Sequence, residues 1–269
     1  MNAFRQLLKA AGPQAPLGTW VMSASPLVAE AVGVAGFDWG VLDMEHSPLD
    51  VPALVGLLQA VAVTKMVPVV RVPGNDAVTV KRVLDAGAQT LLFPLVHSAE
   101  EARHAVASTR YPPEGVRGMT GMSRASRFGT RDDHFRHANR EIGVIVQLES
   151  RRALDEMEAI ARVPGVDALF VGPPDLAADL GHPGLPMQPR VLEAMADAAQ
   201  RAATLGKPIG TIGANPQQVA QYRAAGYGFV ALASDLGLLV AGAQSALAAL
   251  RHQSATTRVH TLADGTLAE

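Results

Sequence analysis

Short, almost wholly apolar runs alternate with longer stretches of helical spacing along this chain, and that alternation restricts the fold more than any other feature. The runs fall near residues 16–23, 39–45, 67–72, 90–96, 142–149, 167–172, 208–213 and 228–234. Between and after them, apolar residues recur at helical spacing over 27–35, 53–62, 77–86, 99–110, 151–162, 190–205, 216–225 and 236–251. Strands without polar alternation are covered on both faces, the condition of a parallel sheet wrapped by helices. Gly36, Gly87, Gly206 and Gly226 stand where helices should stop, as C′ glycines do. Ser98 precedes Glu100 and Glu101 as an N-cap precedes an acidic first turn. The repeat predicts a (β/α)₈ barrel; an open, doubly wound sheet is the alternative that the pattern leaves.

The 269 residues, 48% hydrophobic, suffice for a sizeable core, and no linker composition divides them. We expect one barrel domain over residues 1–253 and a polar tail over 254–269. Segment 111–140, between the fourth and fifth strands, is too long for ordinary punctuation and reads as a functional loop or a subunit contact. Lys+Arg of 23 against Asp+Glu of 25 leaves no electrostatic footprint for nucleic acid or an anionic membrane surface. The absence of cysteine excludes disulfides, thiolate metal sites and cysteine nucleophiles. Neither a secretory signal nor a membrane span is expected, so the expectation is a cytoplasmic protein.

In such a barrel, chemistry gathers at the C-terminal ends of the strands. The second strand ends in LDMEH, with Asp43, Glu45 and His46, and the third in VVRVP, with Arg71. The fifth ends in VQLES, where Gln147 and Glu149 are two apart and so share a side. The sixth runs into FVGPPD, with Asp175, and the eighth ends in ALASD, with Ser234 and Asp235. Singly, each has a structural reading: Asp43 as a satisfied carboxylate, Asp235 as an N-cap for the next helix, His46 as a capping or loop histidine, His97 as a neighbour of the Ser98 cap. As a set they suggest a chemistry. Glu149 and Asp175 offer hard oxygen ligands to a divalent cation, Mg²⁺ or Mn²⁺, with water or substrate completing its shell. Arg71 suits negative charge developing on a substrate oxygen, such as an enolate. His46 moves protons near neutral pH, with an Asp fixing its orientation. The combination fits proton abstraction beside a carbonyl, or its carbon–carbon equivalent. None of Lys9, Lys65, Lys81 and Lys207 ends a strand, which disfavours a Schiff-base route.

The stretches LGTWVMSASPLVAEAVGVAGFDWGVLDMEHSPLD, VPVVRVPGND, VLDAGAQTLLFPLV, RYPPEGVRG with SRASRFG, VIVQLES, FVGPPDLAADLG and GYGFVALASDLGLL run in order over residues 17–240. Together they resemble the HpcH/HpaI aldolase family, metal-dependent pyruvate aldolases that cleave 4-hydroxy-2-oxo acids. The resemblance implies a homohexamer, a trimer of dimers, with active sites near subunit interfaces and a C-terminal helix exchanged between neighbours. It implies Glu149 and Asp175 as metal ligands, for Mg²⁺ or Mn²⁺ and with room for Co²⁺ or Zn²⁺. Arg71 would contact the 2-oxo oxygen, and His46 would be the acid/base group or would position a metal-bound water acting as base. Asp43 and Asp85 match acidic positions that support the histidine, the latter across an interface. Gln147 would touch the oxo acid, Ile212 would line its pocket, and the turn 172–175 would receive its carboxylate through backbone N–H groups. Here the chain departs from the pattern: Pro173 and Pro174 lack that donor, leaving Gly172 and Asp175. The implied partners are pyruvate, or a related 2-oxo acid such as hydroxypyruvate, and an aldehyde. Arg117, Arg124 and Arg127 of the long loop either favour an acidic aldehyde in a neighbour's site or tie subunits together. Phosphoenolpyruvate mutase/isocitrate lyase-like chemistry, citrate-lyase β-like cleavage and a non-catalytic oxo-acid-binding barrel are the competing readings.

Overall fold

In the computed structural model, which describes residues 2–12 and 15–263 apart from the side chains of 252–263, every expected strand is present. The chain opens with α1 (Ala3–Ala10), then β1 (Leu17–Val21), α2 (Pro26–Val34), β2 (Trp39–Asp43), α3 (Val51–Val61), β3 (Val67–Arg71), α4 (Ala77–Asp85), β4 (Thr90–Phe93) and α5 (Ala99–Ser108). It continues with α6 (His134–Glu141), β5 (Gly143–Leu148), α7 (Arg151–Asp155), α8 (Met157–Ala161), β6 (Ala168–Val171), α9 (Pro173–Asp179) and α10 (Pro189–Thr204). The last elements are β7 (Ile209–Gly213), α11 (Pro216–Ala224), β8 (Phe229–Ser234) and α12 (Asp235–Ala263). Each strand pairs in parallel with the next and β8 closes on β1, so the fold is the (β/α)₈ barrel.

Several helices differ from expectation. The excursion after α5 is not all loop, because it ends in α6. The helix expected over 151–162 breaks at Glu156, whose backbone leaves helical geometry, into α7 and α8. Two prolines that read as punctuation open α9 instead; the first-turn N–H groups they lack have no intrahelical acceptor anyway. α12 runs past residue 251 to Ala263, and residues 264–269 of the expected tail lie outside the described residues.

Period-two alternation sorts the strand residues between two cores. Leu42, Val70, Val144, Val146, Leu148 and Val171 face the helices. Trp39, Val41, Val69, Ile145, Phe170 and Phe229 fill the barrel interior. Its N-terminal end is plugged by Phe4 of α1, edge-on to Phe229 at 5.3 Å and to Trp39 at 6.0 Å. α1 is fastened there by Asn2, which donates to Gln89 O and Glu141 O, and by an Arg5–Asp167 ion pair of 2.7 Å. Continued one step, the same alternation turns Asp43, Arg71, Gln147, Glu149, Gly172 and Ile212 inward at the opposite end. The loops around that end are pinned where helices begin. The side chains of Ser25, Asp50, Asp76, Ser98, Ser150 and Asn215 each cap a helix, an interaction typically worth about 1 kcal/mol. No helix among the described residues is long and apolar enough to cross a membrane.

Candidate active site

The open end of the barrel holds a cavity of about 660 Å³, walled by apolar side chains such as Trp20, Phe170 and Ile212 and floored by polar ones. Asp43 and Arg71 are register partners at the ends of β2 and β3. Their adjacency lets the guanidinium fork grip one carboxylate: Nε donates to Asp43 Oδ1 at 2.8 Å and Nη2 to Oδ2 at 2.7 Å. Nη1 lies 2.8 Å from Glu45 Oε2, an ion pair too poorly aligned to count as a hydrogen bond. Trp20 carries the guanidinium on its ring face, 5.5 Å from the centroid. Arg71 is thus fixed on three sides. Of its five N–H groups, one on each terminal nitrogen is left for a ligand.

Glu149, just past β5, is 4% exposed. Its Oε1 accepts from Gln147 Nε2 at 2.8 Å and its Oε2 from the Leu95 backbone N–H at 3.1 Å. Burial pushes its carboxyl up to about 7; the Leu95 N–H and Arg71 oppose the rise, while Asp175 and Glu45 add to it. Burial also raises Glu45, with Arg71 and His46 pulling back and Asp43 and Asp175 pushing further. Four carboxylates, of Asp43, Glu45, Glu149 and Asp175, therefore share one field at this end of the barrel, with Arg71 already shared between Asp43 and Glu45.

This donor set fits a divalent cation. A buried carboxylate beside a second one, under-compensated by protein charge, gains most from a bound cation. Glu149, just past β5, and Asp175, in the first turn of α9, both line the cavity and are the carboxylates that could ligate it. No closed cage of three or more ligating side chains occurs among the described residues, so such a cation keeps positions for water and substrate. Gly172 completes the cradle: a Cβ there would stand 2.2 Å from Glu149 Oε1. Gly172→Ala is therefore expected to displace the carboxylate and weaken metal affinity at least about tenfold, with the barrel intact. Calorimetric Mn²⁺ titration checks this, and unchanged affinity would show that the close approach is immaterial.

The remaining expected residues divide. Gln147, Gly172, Pro174, Asp175 and Ile212 line the cavity, as does His46, whose side chain is 58% exposed. His46 Nε2 is 3.8 Å from Glu45 Oε1, whereas Asp43 holds Arg71 and the Glu45 backbone N–H rather than the imidazole. Asp85 does not join the group within one chain; it pairs with Arg117 at 2.7 Å. Asp235 is structural, accepting from the Met22 and Ser23 N–H groups and so tying β8 to the end of β1. His97 Nδ1 bonds Ser150 Oγ at 2.8 Å, again a structural contact.

Glu45 and Trp20 are the residues to which the sequence reading gave no role. The signal existed, since Glu45 follows Asp43 by two and inherits its inward face. Glu45 links Arg71 to His46, so Glu45→Gln is expected to lower kcat about tenfold while leaving KM within about twofold. Steady-state kinetics separates this from a binding defect, in which KM alone would rise.

Similarity to known proteins agrees with this geometry. A model of the family described as HpcH/HpaI aldolase/citrate lyase matches residues 17–242. A 4-hydroxy-2-oxo-heptane-1,7-dioate aldolase of Klebsiella pneumoniae is 46% identical over 257 residues, covering 95% of this chain and 96% of its own length. A 2-dehydro-3,6-dideoxy-6-sulfogluconate aldolase of Pseudomonas putida is 46% identical over 247 residues, with 92% and 97% covered. The crystal structure of an HpcH/HpaI aldolase/citrate lyase family protein from Burkholderia cenocepacia matches with a TM-score of 0.90 at 42% identity, over 93% of this chain and 100% of that one.

Proposed function

Because this chain belongs to the HpcH/HpaI aldolase/citrate lyase family, we propose that it is a divalent-metal-dependent pyruvate aldolase, an aldehyde-lyase that reversibly splits a 4-hydroxy-2-oxo acid into pyruvate, or a related 2-oxo acid, and an aldehyde. The observation that carries the site assignment is the buried Glu149 carboxylate, raised to about 7 beside Asp175 and Glu45 and facing the fixed guanidinium of Arg71. Glu149 and Asp175 hold the cation, Mg²⁺ or Mn²⁺. When bound, it supplies Lewis acidity toward the substrate's carboxylate and 2-oxo oxygens.

The protein's own groups do the rest. The free N–H groups of Arg71 point positive charge at the 2-oxo oxygen as it becomes an enolate. His46, at the solvent edge of the cavity, takes the proton from the 4-hydroxyl. The C3–C4 bond breaks, its electron pair passes to C3 and the enolate, and the aldehyde leaves. A proton returned to C3 completes pyruvate. Gln147 and the turn 172–175 orient the oxo acid, with Asp175 the first N–H donor after Pro173 and Pro174. Trp20, Phe170 and Ile212 keep water from the enolate.

Relatives of equal identity carry names with different aldehyde halves, a carboxylate at the far end in one and a sulfonate in the other. The test is therefore pyruvate release from a panel of 4-hydroxy-2-oxo acids, followed with lactate dehydrogenase, with and without Mg²⁺ or Mn²⁺. Metal-dependent release from at least one acid is expected; none from any would overturn the reading.

The same reading includes a cytoplasmic homohexamer, a trimer of dimers with exchanged α12 helices. α12 supports it: after its first turns on β1, β8 and α2, it exposes Leu239 by 69% and Leu247 by 50%. An exposed apolar face of this kind is costly in water. Leu239→Glu with Leu247→Glu is expected to reduce the sedimenting mass, and an unchanged hexamer would contradict that role for the helix.

A further inference from the structure

A second cavity, of about 360 Å³, lies at the end of the barrel away from the mouth. Its walls are the turn 87–89 that leads into β4, part of the excursion 117–131, and α6. β4 separates it from the metal site, because the turn precedes that strand and Leu95, the N–H donor to Glu149, follows it. No residue given a catalytic role above lines it.

Its lining is mostly positive. Arg117, Arg124, Arg127, Arg131 and His134 line it with one carboxylate, Glu141, while Asp85 and Asp133, outside the lining, pair with Arg117 at 2.7 Å and Arg131 at 3.0 Å. Arg131 takes up that carboxylate with two bonds of 2.8 and 2.9 Å. Arg124 reaches the Ala86 carbonyl at 3.1 Å. Among the described residues, no ion pair joins Arg124 or Arg127 to a carboxylate.

Two buried nitrogens also lack partners. Arg117 is 2% exposed and His134 5%, yet Arg117 Nε and His134 Nδ1 have no hydrogen-bond partner among the described residues. Both side chains are held in place by Tyr111, whose ring lies 4.4 Å beneath the Arg117 guanidinium and whose hydroxyl is 3.5 Å from His134 Nε2. A buried polar nitrogen left unpaired is destabilising. Burial, and then Arg117 and Arg131, hold the His134 imidazole below its ordinary range; an anion bound here would oppose the contribution of the two arginines. The rim is strained as well. Arg127, Phe128 and Gly129 have φ of 51°, 57° and 81° in succession, a region unfavourable for residues other than glycine. The strained turn sets Arg127 at the cavity.

We propose that this cavity is a second, non-catalytic binding site for a small polyanion bearing phosphate or carboxylate groups, held by Arg124 and Arg127 with Arg117 and His134 at its inner wall. A bound anion would join the 117–131 excursion to the turn that starts β4. The proposal does not depend on the aldolase reading.

The test is calorimetric titration of the full-length protein with inorganic phosphate and, separately, with succinate. Metal is removed beforehand on a chelating resin, since a soluble polycarboxylate chelator would compete. At least one anion is expected to bind with a dissociation constant below about 1 mM. Glu149→Gln should leave that binding unchanged, while Arg124→Gln with Arg127→Gln should weaken it tenfold or more. Arg127→Gln alone serves if the double variant fails to fold. The stronger of the two anions identifies the ligand as phosphate-like or carboxylate-like. Binding lost in Glu149→Gln but kept in the arginine variants would place the anion at the mouth and overturn the proposal. Absence of binding by either anion would also overturn it.

Discussion

Replacing Glu149 by Gln is expected to lower aldol cleavage by a factor of about 10³ or more and, in the metal-free protein, to raise stability above pH 7. The two effects share one cause. The site keeps a carboxylate in a place where its charge is poorly compensated, so the fold pays for a group that only a cation makes useful. The sign follows from linkage: the Glu149 carboxyl titrates near 7 in the fold against 4.5 ordinarily. The folded chain therefore holds a proton that the unfolded chain has already released. The associated stability is fully present below about 4.5 and is lost as pH rises through about 7. At roughly 1.4 kcal/mol per pH unit, the loss is at most about 3.5 kcal/mol. Urea unfolding of the metal-free protein between pH 5 and 8 should show this decline in the wild type and not in Glu149→Gln. Saturating Mn²⁺ should restore the wild type alone, because a cation stabilises the ionised carboxylate. A wild-type curve flat across this range would mean that Glu149 is compensated within the protein.

Arg71→Lys is expected to cut kcat/KM by about 10²–10⁴ although the positive charge is kept. A lysine ammonium cannot place two parallel N–H bonds on Asp43, reach Glu45 from a third nitrogen and still present donors to an oxo oxygen. Asp43 is fully buried, so the variant also leaves that carboxylate partly unmatched. Removing one partner of a buried pair outright typically costs about 3–5 kcal/mol, and Arg71→Ala should approach this loss while Lys falls between. Activity within a few-fold of wild type would show that charge alone suffices at this position.

How much of this was legible in the sequence varies by element. The barrel was, because strands covered on both faces and separated by capped helices leave few arrangements, and Ser98 caps its helix as expected. The convergence of Arg71, Gln147, Glu149 and Asp175 was legible too, since barrel closure brings strand ends together whatever their separation in the chain. The partner of Arg71 was harder. Asp43 reads as support for His46, yet the β2–β3 register sets it opposite Arg71, and register is a property of two strands rather than of one motif. α6 was missed because its sequence, HFRHANRE, has little apolar content and buries only His134 and Ala138. Asp85 pairs with Arg117 within the chain, a contact between distant segments with no local signature.

The most direct test of the central claim follows the methyl protons of pyruvate in D₂O by proton NMR, using protein stripped on a chelating resin with and without Mn²⁺ or Mg²⁺. The account predicts metal-dependent loss of the methyl signal as the enolate forms and is deuterated, absent from Glu149→Gln and slowed in Arg71→Lys. Exchange that proceeds equally without metal, or that survives in Glu149→Gln, would contradict it.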